Sequence, residues 1–204
     1  TISQQQQQQQ QPGVLWFDAH ADINTPFTSS SGNMHGMPVG LAMMEESQHI
    51  PGFEWLSSVP KLDPELLVYV GLRDVDKDEK KIIRDKGIRV FTMHDIDRYG
   101  IGNVMDMALE HVTKGHNNTS RPLHVTYDVD VVDPAWAPAT GTMVRGGLTY
   151  REAHYAAEAV AQTGLLASAD LVELNPLLTN QEEAALTTDL ALSIITSMMG
   201  KTII

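Results

Sequence analysis

Two short stretches carry most of the chemistry in this chain: Asp18-Ala19-His20-Ala21-Asp22 and Asp128-Val129-Asp130. Each follows an apolar run with the character of a buried strand, Val14-Leu15-Trp16-Phe17 before the first and Leu123-His124-Val125-Thr126-Tyr127 before the second. In extended backbone, side chains two apart point the same way, so Asp18, His20 and Asp22 form one row and Asp128 and Asp130 another. Where the two strands end, four carboxylates and one imidazole would then meet. Crowded carboxylates repel one another and resist leaving water, and cations relieve both costs. Two divalent ions balance four aspartates, and oxygen ligands with a single imidazole suit a hard to borderline ion such as Mn²⁺. Water between two such ions ionises near neutral pH and becomes a nucleophile. These residues therefore point to a two-metal hydrolytic site.

The elements that must position them alternate in type. Strands are expected at Leu67–Gly71, Ile88–Met93, Leu123–Tyr127 and Ala169–Leu174, besides Val14–Phe17. Helices are expected at Asp78–Lys86, at Asp95–Thr113 with an interruption near Gly100 and Gly102, and at Thr149–Thr163, which opens on a Thr149/Glu152 capping-box spacing. A last helix, Gln181–Met199, sets Leu186, Leu190, Ile194 and Met198 along one side. Strands alternating with helices predict βαβ units: an α/β fold, three-layer α/β/α, with a mainly parallel sheet. In open sheets of this kind ligands gather beyond the carboxyl ends of the strands, which is where both Asp clusters fall, as do Arg73–Asp76 and Glu173.

Composition narrows the function classes. A length of 204 residues supports one core and is marginal for two. The net charge of −12 argues against nucleic acid and anionic membranes as partners. No apolar run approaches a membrane span, and the start has no basic region ahead of an apolar stretch, so a soluble, cytoplasmic protein is expected. Without Cys there are no disulfides and no thiolate zinc sites. Gln4 to Gln11 is an unbroken glutamine tract closed by Pro12-Gly13; residues 1–13 are expected to be disordered and 14–204 to form one catalytic domain.

Beyond the metal-type clusters, DAHADIN (Asp18–Asn24), SGNMHG (Ser31–Gly36), GLRDVD (Gly71–Asp76), YDVDVVDPAWAPATGT (Tyr127–Thr142), GGLTYRE (Gly146–Glu152) and VELNP (Val172–Pro176) together resemble the arginase branch of the ureohydrolase family, in family order. The resemblance implies two manganese ions and hydrolysis of L-arginine to L-ornithine and urea by a hydroxide shared between the ions. Carried over motif by motif, Asp18, His20, Asp22, Asp128 and Asp130 would be metal ligands, with Asp18, Asp22 and Asp128 shared or on the first ion and His20 and Asp130 on the other. His35 would shuttle the proton to the leaving amine, Glu173 would pair with the substrate guanidinium, and Thr142 would help hold that end. Asn24, Ser31 and Asn33 would receive the α-carboxylate, and Asp76 would face the α-ammonium, with Asp74 and Glu79 as lesser candidates. The family also implies a homo-oligomer, a trimer.

His49, His94, His111, His116, His124 and His154 match no chemical motif, and Met34, Met37, Met43 and Met44 read as core filler beside the site. The family's glycine-rich GGDHS-type segment, which supplies a sixth ligand, has no counterpart here, and Thr1 to Gly13 holds no His, Asp or Glu to replace it. The amino-terminal strands of the fold would be missing, leaving the Val14 strand with one flank unpaired. A five-ligand site is expected to hold one ion well and the other poorly. Three alternatives stay open: an inactive, truncated relative acting as a binding partner, a related ureohydrolase such as an agmatinase, and a glutamine-rich scaffold protein.

Overall fold

Four apolar runs and one of mixed composition pair into a single all-parallel sheet in the computed structural model, which describes residues 11–44, 50–115 and 119–202. Strand β1 (Gly13–Phe17) lies in the middle. On one side are β2 (Leu67–Leu72) and β3 (Arg89–Thr92); on the other are β4 (Leu123–Asp128) and β5 (Leu166–Val172), giving the order β3-β2-β1-β4-β5. Parallel neighbours require crossovers, and these carry the helices: α1 (Pro38–Met43), α2 (Lys77–Lys86), α3 (Met93–Thr113), α4 (Tyr150–Gln162) and α5 (Gln181–Met198). Thr92, Thr149 and Asn180 cap α3, α4 and α5 with their side-chain oxygens. Gly100, at φ 76°, kinks α3 where the sequence led one to expect an interruption.

Alternation along the strands splits the core in two. Leu15, Phe17, Val68, Val70, Val125 and Tyr127 pack on one face against α3, α4 and α5. Val14, Tyr69 and Val90 pack on the other against Val39 and Met43 of α1 and Ile82 and Ile83 of α2. The α/β/α layering is thus complete over β1, β2 and β3. Over β4 and β5 the second face carries His124, Thr126, Ser168 and Asp170 in place of apolar residues, and Ser168 and Asp170 are exposed.

Several expectations need correction. The Val14 strand has no open flank: β1 pairs with β2 through Val14–Leu67 and with β4 through Gly13–Leu123, so the described edges are β3 and β5. The chain winds outward from β1 to β3 and then crosses back, so β1 is flanked by later strands regardless of what precedes it. Gly13 belongs to β1 and not to a glutamine-rich tail; its N–H donates to Pro122 O at 2.9 Å, and a Cβ there would fall 2.1 Å from Val112 O. Gln4–Gln10 lies outside the described residues. Strand β5 begins three residues earlier than expected and stops before Glu173, whose φ of +62° is incompatible with an extended run. Along α5 the buried stripe runs through Thr187, Leu190, Ala191, Ile194 and Met198, while Leu186 is exposed. Thr187 takes the place expected for a leucine because its hydroxyl accepts the Ala139 N–H at 3.0 Å and donates to Glu183 O. Met37 and Met43 are core residues, whereas Met34 is exposed.

Candidate metal centre

The carboxyl ends of β1 and β4 lie side by side, with Phe17 opposite Tyr127, so Asp18 and Asp128 emerge next to each other. The chain leaves β1 toward β2 on one side and β4 toward β5 on the other, and such a reversal opens a crevice at the strand ends. The two acidic stretches, far apart in sequence, meet there. Ligand-type atoms of Asp18, His20 and Asp130 lie within 4.8 Å of one another. His20 Nδ1 is 3.1 Å from Asp130 Oδ2 and 3.4 Å from Asp18 Oδ1. Backbone and ring donors hold the carboxylates in place. His20 N–H reaches Asp18 Oδ1 at 2.6 Å, Trp16 Nε1–H reaches Asp18 Oδ2 at 2.9 Å, and Ala19 N–H reaches Asp130 Oδ1 at 3.1 Å. Asp130 N–H in turn donates to Asp128 Oδ1 at 2.8 Å, closing a one-turn 3₁₀ helix over Val129–Val131.

Without a cation this arrangement is electrostatically costly. Burial, reinforced by the neighbouring carboxylates, pushes Asp22 up to about 8 and Asp128 up to about 10. Burial likewise raises Asp18 to about 6 against the hydrogen bond from His20. Burial opposes a charged His20 ring, but hydrogen bonds to Asp130 and Asp18 overcome it and raise the ring to about 11. Asp130 goes the other way: its own desolvation is outweighed by His20, which holds it below the usual carboxylate range. At neutral pH the cluster therefore keeps protons that a divalent cation would displace. Carboxylate and imidazole donors without thiolate fit a hard to borderline divalent ion, and the chemistry of the trio could hold one.

Above the trio is a cleft of about 160 Å³, a size that suits ions and a small molecule. His20, Asp22, Asn24, Ser31, His35, Asp76, Asp128, Thr142 and Glu173 line it. Asp18 and Asp130 lie buried beneath it. Asn33 does not line the cleft; it is exposed, with its N–H on Ser31 Oγ at 3.2 Å. Thr142 Oγ1 donates to Asp130 Oδ2 at 3.2 Å.

Among the described residues Asp22 (φ 50°) and Glu173 (φ 62°) are the two non-glycine positions in left-handed backbone. Such a conformation costs roughly 1–2 kcal/mol per residue and persists where surrounding contacts impose it. At Asp22 the restraint is visible: its carbonyl accepts Val39 N–H at 3.0 Å and Gly40 N–H at 3.4 Å. A Cβ on Gly40 would lie 2.1 Å from Asn24 O and 2.8 Å from Ile23 O, so only glycine lets α1 approach this loop. Asn24 is buried; its Nδ2 donates to Asp76 Oδ2 at 3.1 Å, and its Oδ1 accepts from Thr28. Glu79 spends both oxygens on backbone, accepting Ile23 N–H at 3.2 Å and Asp76 N–H at 2.9 Å, and thereby ties the two loops together.

Sequence reading missed three contributors. Ser29 lines the cleft without belonging to a motif. Trp16 supports Asp18, and its position two residues earlier on the same strand face was the available signal. Arg73, placed by the sequence at the end of its strand but given no role there, reaches the Asp130 turn, and its partners are not legible in the sequence because they are backbone carbonyls. Two of the histidines outside the motifs bond away from the cluster: His124 to Ser168 and Asp170, and His154 to Tyr150 O and Ser193. His49 and His116 lie outside the described residues.

Fold and cleft together define an α/β protein with a carboxylate-rich, cation-suited pocket at the carboxyl edge of a parallel sheet. The sequence profile of the Arginase family matches residues 1–200, and the chain belongs to that family. It is 45% identical to an arginase of Glaciozyma antarctica over 100% of its own length and 59% of the relative's. The arginase structure from Bacillus caldovelox superposes with a TM-score of 0.82 at 38% identity, over 94% of this chain and 61% of that one. An Entamoeba histolytica arginase in complex with L-ornithine superposes with a TM-score of 0.81 at 31% identity, over 94% and 61%. The chain thus spans about three-fifths of the length of these relatives.

Proposed function

We propose that the cleft holds manganese, one ion well and a second poorly, and hydrolyses L-arginine to L-ornithine and urea. The observation that carries this reading is the meeting of Asp18, His20 and Asp130 beneath a cleft lined by His35 and Glu173. Asp18, Asp22 and Asp128 would be shared or belong to one ion, with His20 and Asp130 on the other. When bound, such ions supply Lewis acidity and draw the pKa of water at the site toward neutrality.

The chain's own residues do the remaining work. Glu173 takes guanidinium N–H donors in a charge-assisted, bidentate pair. Thr142, anchored on Asp130, holds the same end. His35 delivers a proton to the departing ornithine amine. At the outer end Asn24 and Ser31, which line the cleft, serve the α-carboxylate, and Asp76 faces the α-ammonium, with Asp74 and Glu79 beside it; Asn33, outside the cleft lining, would have to turn inward to join them. Agmatine has no carboxylate and would leave those groups unpaired, so it is the poorer substrate. L-Ornithine in the Entamoeba relative supports an amino-acid-shaped ligand. Assembly as a homo-oligomer in the cytoplasm completes the reading, and sedimentation and cell fractionation test those two parts.

Urea release with added Mn²⁺ is the test, with arginine and agmatine compared. Turnover of arginine in clear preference to agmatine is expected. Equal turnover would remove the amino-acid clamp from the reading. Retention of Mn²⁺ without any urea release would instead favour a non-catalytic relative that acts as a binding partner.

A further inference from the structure

Arg73 lies directly after β2 and is half-buried, yet among the described residues it makes no ion pair. Its guanidinium donates only to backbone carbonyls. Nη2 reaches Asp130 O at 2.6 Å and Val144 O at 2.7 Å, Nη1 reaches Val131 O at 3.2 Å and Gly71 O at 3.4 Å, and Nε reaches Val144 O at 3.2 Å. These carbonyls come from three separate segments: the end of β2, the 3₁₀ turn that carries Asp130, and the loop that follows Thr142. A single 3₁₀ turn leaves its last carbonyls without partners inside the turn; Val131 O also accepts the Leu148 N–H at 2.9 Å, whereas Asp130 O takes its donor from Arg73. The planar fork of an arginine supplies several donors in fixed directions, whereas a lysine supplies one flexible point. Room for the fork is reserved, since a Cβ on Gly147 would lie 2.6 Å from Arg73 Nη2.

We propose that Arg73 is a positioning residue for the cation site: by clamping the carbonyls of Asp130 and Val131 it fixes the direction in which the Asp130 carboxylate meets Asp18 and His20. The inference rests on the metal reading above. It concerns the geometry of the turn and not charge, because an arginine's positive charge beside four aspartates opposes cation binding. A substitution that keeps the charge and loses the fork therefore isolates the effect.

The test is Mn²⁺ alone, titrated into the full chain and read by the free-ion electron paramagnetic resonance signal and by calorimetry, with no turnover involved. Arg73→Lys is compared with the wild type and with Arg84→Lys, the same chemical change at an exposed helix position. Outer-shell partners of metal ligands typically contribute about 10- to 100-fold in affinity. A loss of that size is expected for Arg73→Lys, with Arg84→Lys unchanged and with melting in EDTA close to the wild type for both. Mn²⁺ affinity within twofold of the wild type in Arg73→Lys would overturn the proposal. So would a collapse of its melting temperature in EDTA, which would make Arg73 a residue of the fold alone. A wild-type chain that binds no Mn²⁺ would overturn the metal reading itself, a result distinct from both.

Discussion

Glu173 combines a carboxylate facing the cleft with a backbone conformation that glutamate disfavours, at φ 62°. Asparagine adopts that conformation more readily and lacks the charge. Glu173→Asn is therefore expected to stabilise the fold by about 1 kcal/mol and to abolish arginine binding, with metal content unchanged. Urea denaturation, calorimetry with arginine and metal analysis would check the three parts. Loss of stability would mean that the left-handed backbone is set by contacts of the carboxylate itself. The milder Glu173→Gln is expected to weaken arginine binding at unaltered Mn²⁺ content, and unchanged arginine affinity would count against the assigned role. At this scale fixed spacing pointed to the acidic cluster but not to its grouping: the expected row of Asp18, His20 and Asp22 is broken by the left-handed backbone of Asp22, and Asp18 and His20 meet Asp130, which a 3₁₀ turn and not extended backbone presents. The sequence placed Arg73 and Glu79 near the site but did not show Arg73 as a clamp on the turn or Glu79 as a loop tie, because side chains that bond to backbone carry no mark of their partner.

Among the elements, α4 shows how local chemistry sets a boundary. Thr149 Oγ1 accepts the Glu152 N–H at 3.3 Å while Glu152 Oε2 accepts the Thr149 N–H at 2.8 Å. Thr149→Ala is expected to cost about 1 kcal/mol of stability and to leave Mn²⁺ affinity untouched, because α4 packs on α3 and α5 and contributes nothing to the cleft. Parallel melting curves and metal titrations would decide it; a change in affinity would tie α4 to the site. The three inner strands β1, β2 and β4 were legible because burial on a parallel sheet favours runs rich in Val, Leu, Phe and Tyr. Strand β5 was placed three residues late because its sequence, Leu-Ala-Ser-Ala-Asp-Leu-Val, reflects a half-exposed edge in place of a buried interior. Neighbourhood in the sheet was less legible still. That β1 sits between β2 and β4 follows from which way each crossover returns, and the run Val14–Phe17 does not record that choice.

For the molecule as a whole, the protons trapped in the acidic cluster link stability to pH. In the metal-free fold Asp22, at about 8, and Asp128, at about 10, lie far above 3.8, the ordinary value for an aspartate. Between those limits the folded state holds more protons than the unfolded chain, so stability falls as pH rises. His20, raised from 6.5 to about 11, acts in the same direction: its contribution is complete below 6.5 and is lost toward 11. Melting in EDTA is therefore expected to drop steadily from pH 5 to pH 9. With Mn²⁺ present the trend should flatten or reverse, since cations bind the deprotonated ligands. A melting temperature in EDTA that rises across this range would contradict the buried-carboxylate picture. The half-clothed sheet matters at this scale too, because β5 presents Ser168 and Asp170 to solvent.

The bare α-carbon of Gly40 has a further consequence. With Asn24 O only 2.1 Å from where a methyl group would begin, helix α1 and the rim of the cleft are in direct backbone contact with no space for a side chain between them. A single added carbon behind this loop must shove Asn24, and with it the Asp76 it bonds, so under the proposed reading Gly40→Ala would change ligand preference from a position outside the cleft lining.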